Sequence, residues 1–75
     1  MSMLEALQKA VDLAGGQSEF ARRLGGTVKQ QHVHYWLNVM GMISHKYVIA
    51  AETAVDGRVS RHELRPDLYP LERVA

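Results

Sequence analysis

Residues 29–36 read KQQHVHYW. A lysine, two glutamines, two histidines and a tyrosine crowd into one short stretch. Each carries a hydrogen-bonding head, and glutamine donates and accepts at once. Gln30 and Gln31 can therefore grip the N6 and N7 edge of an adenine. Lys29 suits a guanine or a phosphate oxygen. His34 and Tyr35 stand about a turn further on and can reach a base or a phosphate. Catalysis fits the same residues poorly. On a helix His32 and His34 point about 160° apart, while helical metal pairs need a spacing of three or four. His45 and His62 fall in separate elements, so no metal and no cofactor is expected. GGQSEF and GGTVKQ lack the Lys-Ser/Thr of a phosphate-binding loop. There is no cysteine nucleophile, and no serine has a histidine partner at a usable spacing. The expectation is a binding protein and not an enzyme.

The elements that must position this stretch can be read from period and punctuation. Leu4, Leu7, Val11 and Ala14 recur at helical spacing. Ser2 and Glu5 have the spacing of a capping box, and Gly15-Gly16 supplies the stop. QSEFARRLGG reads as a second, short helix with Phe20, Ala21 and Leu24 inward and Arg22 and Arg23 outward. It is too short to hold itself and depends on packing. Val33, Trp36, Leu37 and Met40 form the apolar stripe of a third helix, which Gly41 ends. Gln31 and Tyr35 lie opposite that stripe, with His34 and Asn38 on one flank and His32 on the other. Ser44 can cap a fourth helix whose inner face is Tyr47, Val48, Ala51, Ala54 and Val55. Asp56-Gly57 reads as a turn. Ser60 and Glu63 frame a last helical turn, and LRPDLYP (64–70) ends regular structure at its prolines. Leu64, Leu68 and Tyr69 are expected to pack back on the domain or on a partner, and Arg65 to pair with Asp67.

Length and charge narrow the partners. Seventy-five residues make one domain with a small core, for which a second subunit is the expected supplement. No apolar run reaches the roughly 18 residues of a membrane span. MSMLEALQKAV carries acid and amide groups inside its apolar pattern and is not a secretory leader. The absence of cysteine agrees with a reducing cytoplasm. Net charge is +1, unevenly distributed. Residues 17–47 hold Arg22, Arg23, Lys29 and Lys46 against Glu19 alone, an excess of three positive charges. Both flanking segments are slightly acidic. Local basicity around KQQHVHYW is the footprint of a nucleic-acid surface.

Two short helices joined by a glycine turn, the second with a polar outer face, describe a helix-turn-helix over about residues 17–38. Gln17, Ala21, Gly25, Val33 and Trp36 resemble the motif of phage Cro/CI-type repressors. LAGGQSEFARRLGG, QQHVHYW and AAETAVDGRVSRHELRPDLYP resemble the YdaS-like subgroup of those regulators across nearly residues 4–70. The resemblance implies an all-α, four- to five-helix, lambda-repressor-like fold. It implies a repressor that binds double-stranded operator DNA as a homodimer in a bacterial or phage-infected cytoplasm. Lys29, Gln30, Gln31, His34 and Tyr35 are then the base-contacting set. Gln17 begins the second helix and by resemblance holds a phosphate. Arg22, Arg23, Asn38 and Lys46 complete the phosphate set. An antitoxin that represses its own operon beside a toxin partner is the neighbouring alternative. An interaction module on the same scaffold is the competing class.

One departure concerns the turn. GGTVK is two residues longer than the pattern it resembles. If Val28 tucks inward, Lys29 must serve as the helix cap, which its chemistry suits poorly. If Thr27 caps, Gln30 stands three residues on as a box partner, but Val28 turns outward. Burying Val28 outweighs a cap, which favours the first arrangement.

Overall fold

The computed structural model describes residues 2–70. Five α-helices, α1 Met3–Ala14, α2 Gln17–Leu24, α3 Gln30–Tyr35, α4 Val48–Ala54 and α5 Arg61–Leu64, pack around one core. Among the described residues there is no strand, and no helix is long and apolar enough to cross a membrane. The all-α expectation holds.

Local chemistry accounts for the ends of α1. The Glu5 N–H donates to Ser2 Oγ at 3.1 Å, and the Ser2 N–H donates to Glu5 Oε1 at 3.0 Å. The capping box is complete. Gly15 closes the helix at φ 105°, a left-handed conformation that a side chain would strain. Ala6, Leu7, Ala10, Val11 and Ala14 are buried along one stripe. Leu4 corrects the sequence reading: it is 42% exposed, because the buried stripe begins at Ala6.

The centre of the core is Phe20 on α2, fully buried, with Ala21 beside it. The small alanine lets two helices approach closely. Val33, Trp36 and Leu37 anchor the third helix inward. Trp36 meets Tyr47, with ring centroids 5.6 Å apart. Val48, Ala51 and Val55 close the core from α4, and Val59 and Leu64 from the C-terminal side.

Three details differ from the periodic reading. The third helix is not α-helical throughout: residues Trp36–Met40 form a π-helical turn before Gly41 ends it at φ 70°. The wider turn swings the end of the stripe outward, so Met40 is exposed although its spacing places it inside. The fourth helix begins at Ser44 as a single 3-10 turn, His45–Tyr47, and becomes α-helical at Val48. Leu68 stays 46% exposed, whereas Leu64 is buried and Tyr69 packs against the core.

The long turn adopts the Val28-inward arrangement. Val28 is buried and its N–H donates to the Gly25 carbonyl at 3.1 Å. Gly26 and Thr27 form the exposed apex. Lys29 is the cap residue, and an ammonium has no lone pair to offer a helix N–H. Burying a valine stabilises by about 1.5–3 kcal/mol, against about 1 kcal/mol for a cap, so burial decides the turn.

Candidate nucleic-acid interface

The cap that Lys29 cannot supply is half replaced by His32. The Lys29 N–H donates to His32 Nδ1 at 2.9 Å. This is the return arm of a capping box, with histidine in the place usually taken by glutamate or glutamine. The start of α3 is thereby fixed to the turn. Its next two residues project from a held backbone.

Lys29, Gln30, Gln31 and His34 border one concave surface of about 380 Å³. Four of the five expected base-contacting residues are thus brought together. Tyr35 lies on the same helix and is exposed. Gln30 is oriented across the helix pair: Ser18 Oγ donates to its Oε1 at 2.9 Å. The amide NH₂ of Gln30 remains available as a donor. The side chains of Lys29, Gln31 and Tyr35 make no hydrogen bond to another described residue. The surface therefore presents unspent polar heads on a helix whose backbone is anchored.

The residues expected at phosphates are distributed on both sides. Gln17 opens α2 directly after Gly16. Arg22 and Lys29 border a second hollow of about 330 Å³ between α2 and the turn. Lys46 lies on the opposite flank, at the rim of a groove of about 480 Å³ that also includes His32, Trp36 and Tyr47. Two residues are tied elsewhere. Arg23 donates to the Ala54 carbonyl at 3.0 Å, clasping the end of α4, and to Glu19 at 3.1 Å. Asn38 directs its amide nitrogen at His34, 2.9 Å from the carbonyl and 3.2 Å from Nδ1.

Glu19 tempers the basic surface. It pairs with Arg22 and Arg23, whose hydrogen bonds hold its carboxyl down at about 2, well below the usual carboxylate range. Of the four cations in 17–47, Lys29 and Lys46 make no ion pair among the described residues.

Sequence reasoning missed Ser18 and His32. The Ser18–Gln30 contact joins residues 12 apart and has no local signal. His32 did carry one, since it stands three residues after the cap position.

The model of the family described as bacterial toxin YdaS matches residues 7–72. The chain belongs to the YdaS toxin family. No curated protein and no solved structure matches it. Family membership agrees with the LRPDLYP and QQHVHYW resemblance, and it puts the function within toxin–antitoxin-related or phage regulation.

Proposed function

We propose that this YdaS-family chain is a Cro-type, sequence-specific DNA-binding regulator. It represses by occupying an operator, binds as a homodimer and acts in the bacterial cytoplasm without a cofactor. The observation that carries this reading is the single concavity bordered by Lys29, Gln30, Gln31 and His34 at the start of α3. α3 would lie in the major groove and Lys29, Gln30, Gln31, His34 and Tyr35 would read bases. Gln17, Arg22 and Lys46 flank that helix and would hold the phosphate backbone, with Arg23 adding attraction at longer range. The toxicity in the family's name is, in this reading, occupancy of promoters rather than turnover of a substrate. An antitoxin-type autorepressor uses the same surface.

Selection from a random duplex pool, followed by titration of the enriched site at several salt concentrations, tests the proposal. Arg22 and Lys46 neutralise about two phosphates per protomer. The log–log salt slope is then expected near −2 per bound protomer. A pool that yields no sequence, with affinity insensitive to salt, overturns it in favour of a protein-interaction module.

The second reading has one observation behind it. Val39 is 66% exposed and Met40 follows it in the π-helical turn, an apolar end to an otherwise polar helix. A protein contact there favours the interaction module.

A further inference from the structure

His34 and Asn38 stand one helical turn apart, and their side chains meet. The Asn38 amide nitrogen faces the His34 backbone carbonyl as well as the ring. A carbonyl has only lone pairs, so the atom facing it must carry protons. That orients the amide, with Nδ2 inward and Oδ1 away. Nδ2 has a second proton, and His34 Nδ1 lies 3.2 Å from it. Nδ2 offers no lone pair, so Nδ1 is the acceptor. A neutral imidazole that accepts at Nδ1 carries its proton on Nε2. The backbone decides the amide, and the amide decides the ring.

Two other histidines frame this logic. His32 Nδ1 accepts from the Lys29 backbone N–H, which can only donate, so its proton is also on Nε2. His62 is the reverse. Its Nδ1 lies 2.8 Å from the Tyr69 carbonyl, which can only accept, so Nδ1 holds the proton.

We propose that Asn38 is a positioning residue that holds His34 as the Nε2–H tautomer, making His34 a donor that takes a base acceptor and rejects the cytosine amino edge. The proposal rests on the DNA-binding reading and deepens it. In the major groove guanine N7 and O6, adenine N7 and thymine O4 all accept, while cytosine shows an amino donor. A ring free to choose either tautomer accommodates both edges. A ring held by Asn38 accommodates one. Lys29 shares the concavity with His34 and is likewise a donor. Gln31 is the ambivalent member. Asn38 thus acts on sequence preference through His34 and not as a phosphate contact.

Nitrogen-15 NMR of the full chain, above the imidazole titration range, reads the tautomers directly. Nε2–H is expected at His32 and His34, and Nδ1–H at His62. Asn38→Ala should turn His34 into a tautomer mixture and leave His32 and His62 unchanged. Nδ1–H at His34 in the unsubstituted protein overturns the proposal, whatever the protein does with DNA. The second arm uses the selected duplex and its single-base variants. His34→Ala should lower the preference against cytosine at one position roughly 3- to 10-fold. His34→Lys, which keeps a donor, should retain it. Asn38→Ala should lose part of the same preference at the same position. Equal losses at every position in the alanine and lysine variants would mark a structural role and overturn the proposal. If no operator emerges while the three tautomers are as stated, it is the DNA-binding reading that has failed, and the selective role of His34 falls with it.

Discussion

Two polar surfaces of this domain differ in what has been done with their side chains. Along the C-terminal edge the charges are used. Glu52 receives two hydrogen bonds from the Arg61 guanidinium, at 3.2 and 2.8 Å, and one from its backbone N–H at 2.8 Å. Arg61 also lies over the Tyr69 ring, 5.8 Å from its centroid. Arg65, whose side chain is only 12% exposed, grips Asp67 and donates to the Ile43 carbonyl. At the start of α3 the backbone is held by Val28 and His32, yet Lys29, Gln31 and Tyr35 keep their heads unspent. A fold that satisfies polar groups at one edge and leaves them available at another divides its polar surface between internal pairing and open donors and acceptors. Residue type alone does not reveal that division, because arginine and histidine occur on both sides.

The largest effect should come from beneath the used edge. Leu64→Ala removes a fully buried side chain that anchors α5, and should destabilise by about 2–5 kcal/mol. For a domain of this size each kcal/mol lowers the melting temperature by about 4–8 °C, which calorimetry resolves. A shift of a degree or two would show that the C-terminal edge is an appendage and would dissolve the contrast.

Arg65→Ala and Gln31→Ala sharpen the contrast as a pair. Arg65→Ala breaks the Asp67 pair and strips the Ile43 carbonyl of its donor, with an expected loss of about 1–3 kcal/mol of stability. Base preference at the selected operator should survive. Gln31→Ala should stay within about 0.5 kcal/mol in stability. It should relax preference at one operator position by about 1–3 kcal/mol. If the two variants exchange outcomes, the assignment of faces is inverted.

Acid gives the smallest effect and touches both surfaces. Glu19 is held at about 2 by hydrogen bonds from Arg22 and then Arg23, and Glu52 is lowered by the Arg61 guanidinium and then its N–H. Both folded values lie below the ordinary 4.5, so both pairs stabilise the fold above about pH 4.5 and lose that contribution as pH falls through the folded value. Thermal melts from pH 5 down to about 2 should therefore decline. Glu19→Gln should flatten the lower part of that decline, and added salt should shrink the difference, because the pair is exposed. A Glu19→Gln curve parallel to the unsubstituted one would remove Glu19 from the acid response.

Much of the fold was legible because its signals are local. Both serine capping boxes, the glycine stops at 15 and 41, and the Val28-inward turn follow from residues within four positions of one another. The Arg65–Asp67 pair, two positions apart, was legible for the same reason. What escaped was either distant or geometric. Arg23 to Ala54 spans 31 positions and Arg61 to Glu52 spans nine, and no local pattern points from one to the other. The π-helical turn escaped because a strict helical wheel assumes a constant period. Trp36 and Leu37 obey it, whereas Met40 does not. The four clustered residues of the candidate surface were legible as a polar helix face. The fixing of Gln30 by Ser18 and of His34 by Asn38 needed atoms.

The bond from Arg65 to the Ile43 carbonyl joins the exit of the third helix to a residue 22 positions later. A chain grows from its N-terminus, so Ile43 emerges long before its donor exists. Nascent chains that stop short of residue 65 already contain the whole of α2 and α3 but leave that exit untied. The order of synthesis therefore makes the segment that clamps the exit of α3 arrive after α3 itself.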